Sequence, residues 1–151
     1  MGIEQDISQA TFRNDYQKAI INLIYTYNWM NEKMKKVFDK EDVTGQQYNI
    51  LRILRGAGKP ISTLQIRERM LDKMSDTSRI VDRLVLKGLA KKTVCKDDKR
   101  LVDVSISPKG KTLLEKIDLY EKDMDAILGN LSDAEAKTLN KLLDKIREPQ
   151  S

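Results

Sequence analysis

The chain has 151 residues, 40% hydrophobic and 34% charged, which fits one domain with a modest core and a largely wet surface. Its single cysteine excludes an internal disulfide framework, and the lack of histidine removes the commonest metal ligand and general base. Because the sequence also shows no membrane-length apolar run and no secretory signal at its start, we expect a cytoplasmic protein without a cofactor.

The net charge of +5 is unevenly distributed along the chain. Residues 59–111 hold 14 Lys and Arg against 7 Asp and Glu, whereas the two flanks together hold 14 against 16. A basic module is typical of a protein that binds a polyanion. Lysine-rich loops that only maintain solubility would give the same composition, so charge alone leaves both interpretations open.

Apolar spacing predicts two helices in the first third of the chain. The first covers residues 8–39, with a stripe of large apolar side chains at helical intervals. The second begins at Thr44, where Thr44 and Gln47 form a capping box. Two glycines and Pro60 end this helix.

The next two predicted helices are short and close together. The third begins at Ser62, with Gln65 completing a capping box, and turns Leu64, Ile66 and Met70 inward. The fourth is capped by Ser75 or Asp76, and Gly88 is suited to the position just after its C-terminal end. Two short helices joined by a tight turn predict a helix-turn-helix.

A β-hairpin and two more helices complete the prediction. Its arms are residues 89–94 and 101–106, and the second arm alternates between apolar and polar side chains. Ser107 and Pro108 begin a fifth helix that extends to about residue 128. A sixth begins at the capping box of Ser132 and Glu135 and ends before Pro149.

This element order predicts a mainly α fold with one small β-hairpin. Residues 44–107 form a winged helix-turn-helix lobe, and residues 8–39 and 108–148 form helical arms with an apolar stripe. In a two-fold dimer these would be dimerisation arms, whereas in a monomer, the competing interpretation, they would pack on each other. The fourth helix would enter the DNA major groove, where Arg can bind guanine in a bidentate manner. The DNA contacts expected from the two short helices are Thr63, Ser75, Asp76, Thr77, Ser78, Arg79 and Arg83. Ser75 and Asp76 could equally be helix caps alone.

The hairpin tip carries the charged run KDDKR at residues 96–100. Beside a groove-reading helix, Lys96 and Lys99 would meet phosphates and Arg100 could enter the minor groove. Asp98 would hydrogen-bond turn amides or brace Arg100. An enzyme or a calcium loop is poorly supported, because Asp97 and Asp98 stand without a nucleophile or further spaced ligands. A winged-helix module that binds a protein partner, without specific DNA binding, remains the alternative.

The segment DTSRIVDRLVLKGLAKKTVCKDDKRLVDVSISPKGKTLLEK, residues 76–116, resembles the core of the multiple-antibiotic-resistance regulators, the MarR family. The resemblance is carried by Arg79, the triplets at 82–84 and 87–89, the residues 98–100 at the hairpin tip and the SPKG stretch at 107–110. It implies a homodimeric repressor or activator that is not an enzyme and binds double-stranded DNA. It also implies that a small, often aromatic, anion can release the DNA.

The resemblance places an effector pocket against the first and second helices. Its expected lining is Tyr25, Tyr27, Trp29, Tyr48 and Arg52, although an aromatic stripe at helical spacing also fits an ordinary core.

Two features depart from the family pattern. In the family, the turn before the fourth helix, which would be the recognition helix, often carries a glycine. Here residues 70–74 read MLDKM. Peroxide-sensing members place a reactive cysteine in the first helix, whereas Cys95 lies at the base of the wing. There Lys96 could lower its pKa, but a half-buried strand residue is the simpler interpretation.

Overall fold

The computed structural model of the chain describes residues 2–94, 98 and 102–150. Its helices are α1 (Ile3–Asp6), α2 (Asp15–Asp39), α3 (Gly45–Ala57), α4 (Thr63–Arg69), α5 (Thr77–Leu86), α6 (Pro108–Asp118), α7 (Glu121–Asp125) and α8 (Asp133–Ile146). A 3₁₀ turn, Ala126–Leu128, follows α7. The strands are β1 (Ile61–Ser62), β2 (Ala90–Val94) and β3 (Val102–Ile106). The predicted mainly helical, winged fold is confirmed.

Side-chain caps begin α3, α4, α6 and α8 where the sequence predicts them. Capping boxes are formed at the starts of α3, α4 and α8. In the last of these, the hydrogen bond from the Ser132 backbone amide holds the pKa of Glu135 below its ordinary value of 4.5. The Ser107 hydroxyl accepts from the Gly110 amide at 3.0 Å and caps α6, which has Pro108 in its first turn.

Gly88 ends α5 in the left-handed conformation, with a φ of +74°. Its amide donates to the carbonyl of Val85 at 3.0 Å, and the next amide, of Leu89, donates to Leu84 at 2.9 Å. This pair of bonds is a Schellman motif. It reverses the chain so that β2 begins directly against the helix.

The strands form one antiparallel sheet in the order β1-β3-β2. In the hairpin, Ala90 lies opposite Ile106 and Val94 opposite Val102. On the other side of β3, Ile61 lies opposite Val104, which is fully buried. The two-residue β1 was not predicted, because its pairing depends on a strand about 40 residues later in the chain.

The hydrophobic core lies between the helices and sheet of the winged lobe and the buried face of α6. Its fully buried side chains come from α3, α4, α5, α6 and the sheet: Ile50, Leu51, Ile61, Ile66, Val81, Leu84, Val104, Leu114 and Ile117. Most of α2 and the whole of α8 lie outside this core.

The helical arms differ from the prediction at two places. The first long helix begins at Asp15 rather than near Ser8, because the Asn14 side chain accepts from the Gln17 amide and caps it there. The fifth helix is not continuous to residue 128. At Leu119 and Tyr120 the amides donate to carbonyls three residues earlier, which tightens the backbone and separates α6 from α7.

Leu64 was predicted to face inward and does not. Its relative exposure is 62%, whereas Ile66 and Met70 are buried. Residues two positions apart point in nearly opposite directions on a helix, whereas residues four apart share a face. The pair Ile66 and Met70 therefore determines the buried face of α4. Among the described residues, no helix has the length and apolar character needed to cross a membrane.

Candidate nucleic-acid interface

Helix α5 has one buried and one exposed face. Thr77, Val81 and Leu84 point into the protein, where α5 packs against α3, α4 and β2. Ser78, Arg79 and Arg83 are exposed. Their hydroxyl and guanidinium groups are of the kind that bind phosphates and base edges.

Thr77 was expected to contact DNA, but the structure places it in the protein interior. Its relative exposure is 0%, so the expectation that it faces DNA is wrong. The reason is its spacing, since Thr77 precedes Val81 by four residues and Leu84 by seven and therefore lies on the same inward face. Its hydroxyl has no hydrogen-bond partner among the residues that the structure describes.

Ser75 and Asp76 are engaged within the chain. The Asp76 carboxylate accepts from the Arg79 amide at 3.2 Å and is the N-cap of α5. Ser75 instead belongs to the preceding turn, where its hydroxyl donates to the Asp72 carbonyl at 2.7 Å. Thr63, also expected to contact DNA, is the half-buried first residue of α4.

The β2–β3 hairpin, the wing of the fold, is attached to α5 by an ion pair. Lys92, exposed on β2, binds the carboxylate of Asp82 on α5. Lys91, its neighbour, is exposed as well. The sequence analysis did not assign either lysine a role.

The wing tip is only partly covered by the structure. Asp98 is described and is half-buried. The predicted contacts Lys96, Lys99 and Arg100, together with Cys95, lie outside the described residues.

A groove of about 300 Å³ runs between the start of α3 and the exposed face of α5. Its lining includes Gln46 of α3, together with Arg79 and Arg83 of α5 and its N-cap Asp76. Sequence reasoning missed Gln46, because its position beside the arginines depends on the packing of α3 against α5. An exposed amide here can both donate and accept hydrogen bonds.

A second groove, of about 710 Å³, lies between α2, α3 and the turn that precedes α5. Three of the predicted effector residues, Tyr27, Tyr48 and Arg52, line it. Tyr48 is stacked on Phe38 with ring centroids 4.7 Å apart. The Arg52 guanidinium donates to the Asn49 side chain at 2.8 Å.

Tyr25 and Trp29 do not line this groove. Each is two positions from Tyr27 and therefore points to a different side of α2. Trp29 instead lies under the ammonium group of Lys33, 4.7 Å from the ring centroid. The three predicted effector residues on α2 are thus divided between two faces of that helix.

The chain is similar to known proteins of one family. The MarR family model matches residues 41–101. A solved MarR transcription factor from Planctomyces limnophilus is 30% identical, with 89% of this chain and 98% of that one covered and a TM-score of 0.69.

Two further solved structures share the fold. A mutant of MarR from E. coli, complexed with operator DNA, is 23% identical, covers 92% of this chain and 100% of its own, and has a TM-score of 0.82. BpsR from Bordetella bronchiseptica, whose DNA binding is regulated by 6-hydroxynicotinic acid, is 22% identical. It covers 83% of this chain and 96% of its own, with a TM-score of 0.74.

Proposed function

The chain belongs to the MarR family of transcriptional regulators, and we propose that it represses transcription by binding a pseudo-palindromic DNA operator as a homodimer. The observation that carries this proposal is the exposed face of α5, where Ser78, Arg79 and Arg83 stand opposite the buried residues of the same helix. The solved relative in complex with operator DNA supports the same mode of binding.

Each exposed group has a distinct role in this proposal. Arg79 lies in the first turn of α5, the end of a recognition helix that meets base edges, and binds the O6 and N7 atoms of a guanine. Arg83, one turn further along, binds a phosphate. In the wing, Lys96 and Lys99 bind phosphates and Arg100 occupies the minor groove, assignments that rest on the sequence.

The test is an in vitro selection from randomised duplexes at about 150 mM salt, where non-specific binding is weak. We expect a two-fold symmetric motif whose half-sites are ~10 base pairs apart. Arg79→Ala should relax the preference at one position of each half-site, losing ~1–3 kcal/mol of discrimination. Arg100→Ala should weaken binding to all sequences by a similar factor.

Either of two results would contradict the proposal. Enrichment of no sequence by the wild-type protein would favour a winged module that binds a protein partner. Identical behaviour of the Arg79 and Arg100 variants across operator variants would contradict their separate roles.

We further propose that an aromatic carboxylate in the 710 Å³ groove weakens DNA binding. Tyr27 and Tyr48 offer aromatic surface there and Arg52 offers positive charge, a combination suited to an aromatic anion. The regulation of BpsR by 6-hydroxynicotinic acid supports this chemistry.

Salicylate is a suitable probe for the groove. At millimolar concentration it should release the protein from its operator. Arg52→Gln should raise the concentration needed for release, whereas Lys33→Gln, which removes a charge on another face of α2, should not. Release that is absent in the wild type, or equal in both variants, would count against the proposal.

A further inference from the structure

The turn between α4 and α5 is closed without a glycine. Its residues run from Met70 to Asp76, all of them described, and none has a positive φ. Met70, the first residue of the turn, and Thr77, which follows its last residue, are buried. The chain between them has to reverse direction by hydrogen bonding, since its apolar side chains Leu71 and Met74 are 82% and 92% exposed.

Asp72 supplies most of those hydrogen bonds. Its Oδ1 accepts from the Met74 amide at 2.9 Å, which closes an Asx turn. Its backbone carbonyl accepts from the Ser75 hydroxyl at 2.7 Å and from the Ser75 amide at 3.4 Å. The turn therefore depends on one residue for three of its contacts.

The same residue connects the turn to the start of α3. Its second carboxylate oxygen, Oδ2, lies 3.5 Å from Nε2 of Gln46. Gln46 in turn lines the groove that contains Arg79 and Arg83. The next residue, Lys73, binds the carbonyl groups of Arg67 and Glu68 at the end of α4. The side chains of Asp72 and Lys73 thus connect the turn to α3 and to α4.

From these contacts we infer that Asp72 is a positioning residue for DNA recognition. It fixes the direction in which α5 leaves the turn, and so the register of Ser78 and Arg79 on the base edges. A carboxylate this exposed contributes little to global stability, because each of its hydrogen bonds replaces one with water. We therefore expect Asp72 to affect the orientation of α5 on DNA rather than the stability of the fold. The inference rests on the proposed function, since it assumes that α5 reads DNA.

Two substitutions separate the hydrogen bond from the charge. Asp72→Ala and Asp72→Asn both remove one negative charge, but only asparagine keeps a side-chain oxygen that can accept from the Met74 amide. The readout is the ratio of affinity for the duplex selected by the wild type to affinity for a scrambled duplex. Both affinities come from one protein sample, so a partly unfolded fraction cancels.

We expect Asp72→Ala to lower this ratio about fivefold, the factor for one net hydrogen bond. Asp72→Asn should stay within about twofold of the wild type on the same scale. In both variants the slope of affinity against salt should be unchanged, because no phosphate contact is removed. The melting temperature of each variant confirms that it is folded at the assay temperature.

The possible outcomes are distinguishable. A wild-type protein with no preference for any duplex overturns the proposed function itself. A wild-type preference that Asp72→Ala retains overturns the role of Asp72 alone. Equal losses in the alanine and asparagine variants would assign the effect to charge and likewise overturn it.

Discussion

Thr77 shows how closely buried residues and the residues proposed to contact DNA alternate in α5. It is fully buried with an unpartnered hydroxyl among the described residues, whereas Ser78 and Arg79 directly after it are exposed. A buried hydroxyl without a hydrogen bond is unfavourable by ~1–3 kcal/mol. Valine, which has the shape of threonine without the hydroxyl, should therefore leave the protein at least as stable.

Replacing Thr77 by valine tests this interpretation. We expect the free energy of unfolding to rise by about 1 kcal/mol, with operator affinity unchanged, because the hydroxyl does not reach the surface. Urea denaturation and a binding isotherm measure the two quantities. The matched control is Val81→Thr, one turn further along the buried face, which should destabilise the protein. A loss of operator affinity in Thr77→Val would show that the hydroxyl acts in recognition after all.

The burial of Thr77 could have been predicted from the sequence, but its residue type fitted more than one role. Small polar residues at a helix start are favoured both as caps and as DNA contacts. The spacing to Val81 and Leu84, at four and seven residues, would have assigned Thr77 to the inward face. For Arg79, no such ambiguity arises, since a guanidinium group is rarely buried without a partner.

At the level of elements, the junction between the sheet and α6 leaves no room for a side chain. A Cβ atom added at Gly110 would lie 2.3 Å from the Leu89 carbonyl oxygen and 2.8 Å from Cγ1 of Ile106. Glycine is thus required by close approach of the helix to the hairpin. This contact holds the first turn of α6 against the base of the wing.

Gly110→Ala should lower the free energy of unfolding by at least ~2 kcal/mol, because the obstructing oxygen belongs to the backbone. Gly56→Ala is the control, since a Cβ there meets no described atom within 4 Å. That change lies within α3 and should stabilise the protein by ~0.5–1 kcal/mol. Thermal unfolding measures the difference in stability between the two variants. Similar melting temperatures would mean that the helix can move away from the hairpin without loss.

Contacts between residues close in sequence were predicted well, whereas features that depend on tertiary packing were not. The capping residues Thr44, Ser62 and Ser132 identified three helix starts, because a cap is a contact between residues close in sequence. Strand β1 and the interruption after Asp118 were missed. The first depends on pairing with a distant strand, and the second leaves the apolar spacing from Ile117 to Met124 intact. The lining of the second groove was only partly predicted, because it depends on how α2 lies against α3.

For the whole molecule, the arms expose more apolar surface than a solitary chain would be expected to leave in water. On α2, Tyr16, Ile20 and Ile24 are exposed at intervals of four residues, and on α8 so are Leu142 and Ile146. No residue of α8 is buried. Exposed apolar faces of this extent mark interaction surfaces. A second copy of the chain would cover them symmetrically and place two α5 helices on one side of a duplex.

We therefore predict that Ile20→Lys combined with Ile24→Lys dissociates the homodimer. Each substitution occurs twice in a two-fold interface, and burying an isoleucine contributes ~1.5–3 kcal/mol. The dimer dissociation constant should rise at least ~100-fold. Sedimentation equilibrium at micromolar concentration should give twice the chain mass of 17.4 kDa for the wild type and one chain mass for the variant.

Leu86→Lys is the control for this experiment, because Leu86 is an exposed apolar residue of the winged lobe rather than of the arms. It should leave the dimer intact. The doubly substituted protein should stay folded, since Ile20 and Ile24 lie outside the hydrophobic core. It should also lose preference for the two-fold operator over a single half-site, because its recognition helices are no longer held about one DNA turn, ~34–36 Å, apart. A variant that remained dimeric would move the interface away from α2.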